Sequence, residues 1–494
     1  MAVYQLRVDW GNDGTYGHAL ADITGDVLEV SCVLGRERPF EFLSGARVGE
    51  LTARLRNEGG KYSLFQTASP LAGLLRPGKL VQLRRYVDAT TGWVPLWTGY
   101  LDRLTPDALL PPTVQLRALG PLSVLAVRTV WTAALANVAS DAAVTAVLDA
   151  AGWPTALRQV NAGSSTLVRH YSRGEDALTA LKAIEQAELG LVREAPDGRI
   201  VFEGRGYRKT GDRLTVQCTL SSDPADLAAG ALAYLDLRQD DPIESVVNEA
   251  AWSVQQYTTG TQQVVATLAE VPFTVAPGQT LSFTLQYPPA GQSAEGYVAS
   301  WVTPTVGTSG ADVIVSSTTG VTVTLSQQRA TRATVAITNG SGTAVTVSQV
   351  QLRGTPVIPG SVTGVVATDS ASQASFGRRA VTVQTSWINT NQARDFAQAT
   401  VNRYAAPVPT VTVTFAAELS VEHARQAALR TVSDRVAVRE PAVLGLDMEA
   451  FIERVEHRLT PDTHTVSWVL APAVAESAWI LGTSQLGVDT KLGF

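Results

Sequence analysis

Residues 79–119 read KLVQLRRYVDATTGWVPLWTGYLDRLTPDALLPPTVQLRAL, and their pattern decides the fold class of the N-terminal part of the chain. Apolar side chains fall on every second position in three runs, KLVQLRRY, VPLWTGYLDRL and TVQLRAL. A period of two is typical of strands that bury one face. Turn-forming prolines at 111–112 separate the second run from the third. These residues therefore predict short consecutive strands.

The same alternation extends over residues 1–128. YQLRV, DVLEVSCVL and GELTARLRN also place apolar side chains on every second position, and the Pro-Gly pair at 77–78 is a turn signal. About six short strands at this spacing are typical of a β-barrel or a sandwich. We therefore predict a first β-barrel domain over 1–128.

Residues 129–235 change to a helical period. The first predicted helix has Ser140 as its N-cap and ends at Gly152, which takes the left-handed C-terminal position. A second helix is predicted over about 175–189, and the PDG sequence at 196–198 predicts the turn of a hairpin. This region is predicted to be a small α+β domain.

The third segment is interrupted by a stretch of different composition. Residues 236–257 and 368–470 carry strand-like runs that together predict a second, discontinuous β-barrel domain. Residues 258–367 are rich in Thr, Val, Ser and Gly, and Asn339-Gly340 is the strongest hairpin signal in the chain. We predict an inserted β-sandwich there. The predicted fold class is thus mainly β with a minor α+β part, in several domains.

Composition and charge exclude several classes of protein. The 494 residues are 45% hydrophobic and 17% charged, which supplies several cores and excludes wholesale disorder. A net charge of −6 does not favour a nucleic acid as the principal ligand. The chain has no apolar run of about 18 residues and no signal-peptide pattern, so we predict no membrane span and folding in the cytoplasm where it is made. Cys32 and Cys218 are far apart and are interpreted as buried thiols.

A near match to a phosphate-binding loop occurs at 73–79, GLLRPGK. Leu80 stands where a Ser or Thr should reach magnesium, and Pro77 removes one backbone N–H from the loop. A strand follows instead of a helix whose N-terminus would hold an anion. A turn that leads into a strand is the favoured interpretation.

Other chemical motifs are equally incomplete. The stretch from Asp9 to Leu20 resembles a calcium loop, but the twelfth position is Leu20, where a bidentate Glu belongs. The carboxylates of Asp240, Asp241 and Glu244 are interpreted as a solvated cluster. The histidines do not have the spacing of a helical zinc site, and no nucleophile elbow occurs. They are His18, His170, His423, His457 and His464. We predict no catalytic residue, no metal and no cofactor, and the chain is not expected to be an enzyme.

A basic run is predicted to be a solvated loop that faces an acidic partner. It consists of Arg205, Arg208, Lys209 and Arg213.

Several motifs resemble those of phage tail hub and minor tail proteins. Residues 55–85 and 93–104 resemble the first barrel of that family, which has a G-[KR]-[YF] turn, an SP-x-AG-x-L-x-PG loop and an L-[FW]-TGY-[IL] strand. Residues 190–205 resemble its dadGrlvFr-R hairpin. Residues 372–380 and 478–493 are similar to its S-x-x-x-[YF]-G-x-R element and its terminal W-x-LG-x-S-x-LG-x-x-T-x-LG sequence. These motifs occur in the family's order over about three quarters of the chain, whereas 258–367 departs from the pattern.

The resemblance implies a baseplate or tail-tip hub with two barrel domains per chain. Three chains would form a ring of six similar barrels that connects the tail tube to the tip and lets DNA pass. The implied location is the virion tail tip, with assembly in the host cytoplasm. The implied partners are two further copies of the chain, the tail tube and distal tail proteins, the tape measure protein, and tip or fibre proteins.

Two alternatives accompany the hub interpretation. The inserted sandwich is a candidate for binding a host-surface glycan or protein, with Tyr297 and Trp301 as candidate contacts, and packing in the core explains both rings equally well. A wall-degrading tail enzyme is less favoured because no catalytic constellation is present. Residues 471–494 are too few to fold alone and are predicted to be a packing tail. Its candidate interface residues are Trp479, Leu486 and Leu492.

Overall fold

The computed structural model describes residues 4–36, 45–107, 111–288 and 296–473. Strands predominate, which confirms the predicted mainly β class with a minor helical part. The N-terminal strands are β1 (Tyr4–Val8), β2 (Val27–Gly35), β3 (Glu50–Arg56), β4 (Leu80–Tyr86), β5 (Trp93–Asp107) and β6 (Thr113–Leu119). The three runs within 79–119 are therefore strands, as predicted.

The remaining strands follow in chain order. They are β7 (Thr129–Trp131), β8 (Leu135–Ala139), β9 (Arg158–Val160), β10 (Thr166–His170), β11 (Arg173–Asp176), β12 (Leu191–Glu194), β13 (Ile200–Glu203), β14 (Thr219–Ser221), β15 (Asp236–Asp240), β16 (Glu249–Thr259), β17 (Gln263–Thr267), β18 (Phe273–Val275), β19 (Thr280–Gln286), β20 (Tyr297–Val302), β21 (Val306–Gly307), β22 (Val313–Val315), β23 (Val321–Ser326), β24 (Arg332–Asn339), β25 (Val345–Thr368), β26 (Ala380–Thr385), β27 (Thr410–Ala416), β28 (Arg435–Glu440), β29 (Leu446–Leu459) and β30 (His464–Pro472). The α-helices are α1 (Leu122–Leu125), α2 (Ser140–Ala150), α3 (Ala177–Glu188), α4 (Pro224–Ala228), α5 (Ser370–Phe376), α6 (Thr390–Tyr404) and α7 (Val421–Leu429). None of the helices in these described ranges is long and apolar enough to cross a membrane.

The first half of the main sheet consists of β1–β6, paired in the order β1-β4-β5-β6-β3-β2. Its strands wrap around one core that contains the fully buried Trp10 and Trp97. The sheet curls until the segment before β2 reaches β1, where Ile23 N–H donates to Leu6 O over 3.0 Å. Within the described residues no strand ladder closes the ring, so the predicted closed barrel is a curled open sheet.

The second half of the main sheet consists of β14, β15 and β27–β30. It surrounds a separate core around Phe415 and Trp468, whose ring centroids lie 4.8 Å apart. The halves are not two independent barrels, because β29 pairs with β28 along its first part and with β2 along its second. Within the described part of the chain the result is a single 12-stranded sheet. Pairing between strands more than 400 residues apart leaves no local signal in the sequence.

The helical region contains α2, α3 and the hairpin β12–β13, as the sequence predicts. Gly152 ends the first of these helices at φ +64°, which confirms its left-handed position. Ser140 is not the N-cap, because Ala139 occupies that position. The hydroxyl of Ser140 instead donates to Glu188 over 2.8 Å. The buried carboxylate of Glu188 therefore accepts a hydrogen bond from the hydroxyl group that the sequence pattern assigned to the N-cap of the helix.

The insert is built from β17–β24 and the first part of β25, and it has its own apolar core. It grows out of two strands of the third segment, since β16 and β25 stay paired from Glu249–Thr368 to Thr259–Val357. The Asn339-Gly340 hairpin prediction is wrong. The strands on either side, β24 and β25, belong to opposite sheets. The amide of Asn339 is buried and donates to Val275 O and Thr343 O, so it fixes a connection between sheets.

Gly35, at the end of β2, shows how closely the two halves of the main sheet approach each other. Its φ is +116°, and a Cβ atom there would lie 2.3 Å from the carbonyl oxygen of Glu453. Gly14 also has a positive φ, +79°, but an added Cβ would meet nothing within 4 Å. Substitution of Gly14 therefore adds backbone strain alone, whereas substitution of Gly35 adds backbone strain and a steric clash.

We expect Gly35→Ala to lower the free energy of unfolding by about 3 kcal/mol, from backbone strain plus overpacking. The matched control Gly14→Ala should lose about 1 kcal/mol, from strain alone. Urea unfolding of both variants measures the difference. Equal losses would mean that the close approach at Gly35 does not constrain the junction.

Candidate assembly interfaces

The junction between the two halves of the main sheet is made by six antiparallel residue pairs, from Val30–Leu459 to Gly35–Arg454. Next to it lies a network of buried charged groups that also reaches the helical region. Glu453 of β29 is buried, with 3% of its surface exposed. Its carboxylate accepts hydrogen bonds from both Nη atoms of Arg208, over 2.5 and 2.9 Å. The Nε atom of Arg36 lies 3.1 Å from the same carboxylate.

A second carboxylate continues this network into the helical region. Glu203 of β13 forms a buried ion pair with Arg193 over 2.6 Å and accepts a hydrogen bond from Ser433 Oγ over 2.6 Å. The same hydroxyl accepts from Arg208 Nε over 3.1 Å. Four stretches of the chain that are separate in sequence therefore meet at one set of charged groups.

Electrostatics keep Glu453 ionised. Burial raises the pKa of this carboxyl group, but the charges of Arg208 and Arg36 more than offset burial, and the pKa lies below its ordinary value. Buried charges are stable only when they are paired and hydrogen-bonded, so each member of this network depends on the others.

Glu194 connects the helical region to the first half of the sheet. Its carboxylate accepts the N–H groups of Gly49 and Leu122 over 2.7 and 2.6 Å. Cβ atoms at Gly49 and Gly120 would lie 2.4 and 2.0 Å from this carboxylate, so both positions require glycine. Burial raises the pKa of Glu194 to about 7, against the two amide hydrogen bonds and the charge of Lys182, which lower it.

A histidine pair lies where β4 of the first half meets β29 and β30. His457 Nδ1 and His464 Nε2 are 3.0 Å apart, and Arg85 Nη1 lies 2.6 Å from His464 Nδ1. Burial, reinforced by the charge of Arg85, lowers the pKa of His457 to about 3. Burial, with His457 and Arg85, holds the pKa of His464 well below its usual range. Both rings are therefore neutral at neutral pH.

The sequence-predicted contacts of the insert are placed inside the protein. Tyr297 is buried, with its ring centroid 4.6 Å from that of Tyr171. Trp301 is partly buried, and its Nε1–H donates to Arg329 O over 2.7 Å. Neither ring presents a fully exposed face to solvent, and ligand contact through these two residues stays a prediction. The predicted tail interface residues Trp479, Leu486 and Leu492 lie outside the described residues.

The near-matches to ligand loops have structural roles. Asp9 is buried and accepts the N–H groups of Asn12 and Gly14 over 2.8 and 2.9 Å, which makes the stretch after it a surface turn. Lys79 Nζ donates to Trp10 O over 2.9 Å, and β4 begins at the next residue. The interpretation of 73–79 as a turn into a strand is confirmed. Among the described residues no group of His, Cys, Asp and Glu side chains is placed to hold a metal ion.

The basic run at 205–213 does not form a solvated patch. Arg208 pairs with Glu453, and Arg213 lies 3.8 Å from Asp434. Arg205 stacks over the ring of Phe396, with its guanidinium carbon 5.1 Å from the centroid. The prediction of a loop that faces an acidic partner is wrong for the two paired arginines, because their acidic partners belong to the same chain.

Exposed apolar side chains at loop tips were missed by the sequence interpretation. Leu64 and Phe65 are 60% and 93% exposed in the β3–β4 loop, and Val443 and Leu444 are 85% and 44% exposed in the β28–β29 hairpin. Two adjacent exposed apolar residues at a tip are unusual for a surface that meets only water. Their signal was present in the sequence, as apolar pairs between turn residues, and these tips are candidate contacts.

The fold of this chain is similar to that of a phage tail protein of known structure. A tail protein from Neisseria meningitidis MC58 has the same fold, with a TM-score of 0.51 and 12% identity over 95% of this chain and 97% of that chain. The resemblance to phage tail proteins that the motifs predicted is thereby confirmed at the level of the fold.

Two further structures are similar over most of their length. The 43 kDa tail protein of prophage MuSo2 from Shewanella oneidensis gives a TM-score of 0.49 at 11% identity, over 94% of this chain and 97% of that chain. Prophage tail protein gp18 from Listeria monocytogenes EGD-e gives 0.43 at 10% identity, over 95% and 94%. No protein-family model and no curated protein sequence matches the chain.

We expect Glu453→Gln to lower the free energy of unfolding by about 3–5 kcal/mol, because it leaves Arg208 buried without its countercharge. The matched control is Asp236→Asn, which removes an exposed ion pair with Arg238 and should cost less than about 1 kcal/mol. Urea unfolding of both variants measures the losses. A loss at Glu453 no larger than at Asp236 would contradict the structural role of the network.

The buried histidines predict loss of stability in acid. Burial also lowers the pKa of His170, to about 4. A histidine with a lowered folded-state pKa binds its proton only on unfolding, so its stabilisation is full above about pH 6.5 and is lost as the pH falls toward 4. Glu194 acts in the opposite direction, because its raised pKa favours the folded state as the pH falls below about 7.

A single substitution isolates the contribution of His170 to the pH dependence of stability. We expect His170→Leu to reduce the pH dependence of the unfolding free energy by up to about 1.4 kcal/mol per pH unit between pH 6 and 4, the slope for one proton. Urea unfolding at closely spaced pH values measures this slope. An unchanged slope would mean that His170 is already protonated in the folded protein.

Proposed function

We propose that this chain is a tail-tip or baseplate hub of a phage virion. Three copies would form a ring that connects the tail tube to the tip and lets DNA pass through its lumen. The proposed neighbours are tail tube and distal tail proteins, the tape measure protein, and tip or fibre proteins. Assembly in the host cytoplasm, before the particle leaves the cell, is part of the same proposal.

One observation carries the proposal. Each chain contains two curled sheet halves, each with six paired strands around its own core, and the β2–β29 ladder joins them edge to edge. A protomer with two like units side by side contributes two positions to a ring. Three protomers then supply six positions, which suits a threefold tip on a sixfold tube, as closed symmetry requires.

The surface of the continuous sheet that faces away from the cores supports a water-filled lumen. One row of paired residues crosses six strands and is polar throughout. It consists of Arg103, Arg117, Thr52, Ser31, Arg458 and Thr465. Arginines in this row have acidic neighbours, since Arg117 lies 2.7 Å from Glu50 and Arg458 lies 3.9 Å from Glu29. Balanced charge neither traps DNA nor strongly repels it.

The proposal assigns the chain a structural role and no catalytic one. The carboxylates that the sequence offered as a catalytic cluster, Asp240, Asp241 and Glu244, are exposed to solvent beside the end of β15. The buried carboxylates are fully engaged, and Glu188 alone accepts four hydrogen bonds within the helical region. Groups held in this way position the backbone, so Glu188 is not available as a general acid or base.

The solution mass of the purified chain tests the hub proposal. A closed trimer has a mass of about 157 kDa, three times 52.4 kDa. We expect this mass by light scattering at micromolar concentration, and a ring with a central hole in negative-stain electron micrographs. A monomer at every concentration up to about 100 μM, with no rings, would refute a self-assembling trimeric hub.

A further inference from the structure

The sheet that contains β16 has two edges without a partner strand among the described residues. The strands β25, β16 and β26 lie side by side in that order. On one side, β20 pairs with β25 only as far as Val357, so among the described strands β16 alone pairs with residues 363–368. On the other side, β16 is likewise the one described strand that pairs with residues 380–385 of β26. Unpaired backbone N–H and C=O groups along an edge are a template for another strand.

Both edges lack the features that protect an edge strand exposed to water. Residues 363–368, TGVVAT, and residues 380–385, AVTVQT, contain no charged side chain and no proline. Both segments also pair with β16 without a register shift. Natural sheets protect open edges with charges, prolines or bulges, and β15 of the same protein, DLRQD, carries a charge on every second residue. The chemistry of both edges therefore suits a partner strand.

The two edges are complementary in direction and in length. β25 runs antiparallel to β16, whereas β26 runs parallel to it. A second copy of the chain in the same orientation would therefore place its β25 antiparallel to β26 of the first copy. Each segment offers six residues that pair in sequence with β16. The open edge of β26 ends at Trp387, whose carbonyl oxygen accepts the N–H of Val168 over 2.8 Å.

The register of the sheet sets which residues would meet. Glu249 of β16 pairs with Thr368 of β25 on one side and with Ala380 of β26 on the other. A sheet that continues into a second copy with the same register therefore places Ala380 opposite Thr368 of that copy. The next row, Arg379 opposite Asp369 of the second copy, brings opposite charges together. Charge complementarity thus favours the same register as the strand rows.

In this register both faces of the continued sheet match. Val383 would lie opposite Val365 of the second copy, and both belong to the apolar side that packs on the core of the helical region. Thr382 would lie opposite Val366, and both residues are exposed on the other face. A shift of one residue would place core side chains opposite exposed ones.

We propose that β26 of one copy pairs with residues 363–368 of a second copy as antiparallel strands, so that the sheet continues from one subunit into the next. The contact joins two different edges, so each copy keeps one edge free for a further copy. A head-to-tail contact of this kind closes into a ring when the rotation between copies allows it. The inference names a surface for self-association and does not depend on a role in a phage tail.

Disulfide cross-linking tests this pairing. In the double variant Thr382→Cys/Val366→Cys, each new thiol lies opposite one in the next copy, at a Cα separation of about 5 Å that a disulfide can bridge. Within one chain both positions pair with Ala251 from opposite sides, so they are about 10 Å apart and cannot be bridged. The native Cys32 and Cys218 are buried. We expect covalent dimers and trimers on a non-reducing gel after mild oxidation.

The two single variants are the matched controls. Thr382→Cys alone and Val366→Cys alone should give no covalent dimer, because each position meets the other one in the next copy. Cross-linking of Val366→Cys alone would show that like edges pair, which would overturn the head-to-tail assignment. A double variant that gives no cross-link would overturn the proposal. If light scattering shows a trimer in that case, the hub proposal stands on a different interface.

A charge pair tests the same contact without oxidation. Thr382→Lys with Val366→Lys places like charges opposite each other across the contact, and we expect association to weaken by up to about fivefold per contact. Thr382→Lys with Val366→Glu places opposite charges there and should keep the association of the unmodified chain. Light scattering over a dilution series compares the two variants. Equal masses for both variants at every concentration would contradict the pairing.

Discussion

The antiparallel ladder between β2 and β29 is the constraint on which the rest of the structure depends. It joins two curled sheets that have separate cores, and it fixes their relative register over six residue pairs. A slip of one residue would turn every side chain of β2 to the opposite face and place Cys32 and Leu34 in solvent. Gly35 must approach the backbone of Glu453 for the ladder to end where it does. The polar row on the outer face of the sheet follows from this register.

Buried carboxylates connect the helical region to the two halves of the main sheet. Glu194 ties the helical region to the first half, while Glu203 and Glu453 tie it to the second half and to the end of β2. Apolar contacts tolerate sliding, whereas a buried carboxylate has a large desolvation cost unless its own donors are in place. Such groups add little net stability, but they make alternative placements of the domains expensive. These groups therefore contribute more to a single defined arrangement of the domains than to the free energy of unfolding.

The sequence predicted what depends on neighbouring residues and missed what depends on distant ones. The strands within 79–119, the helix that ends at Gly152 and the turn before β4 are set by alternation and turn chemistry, so they were predictable. Two local signals failed for the same reason. Ser140 is claimed by Glu188, and Asn339 bridges two sheets of the insert, so tertiary partners outweighed capping and hairpin propensity. The Glu453 network could not be predicted, because its members come from four separate stretches of sequence.

The two ends of the main sheet limit how copies of the chain can meet. At one end β1 is covered by the segment before β2, through the Arg7–Asp22 bridge and its backbone hydrogen bonds. At the other end β15 carries Asp236, Arg238 and Asp240, whose charges oppose the addition of a further strand. Within the described residues, neither end of the main sheet offers an unprotected edge strand to a second copy of the chain. For the main sheet, the hub proposal therefore places contacts between copies on faces and loop tips, and the apolar tips at 64–65 and 443–444 are candidates for burial there. Under the hub proposal, contacts of this kind leave the polar face of the sheet free to line the proposed lumen.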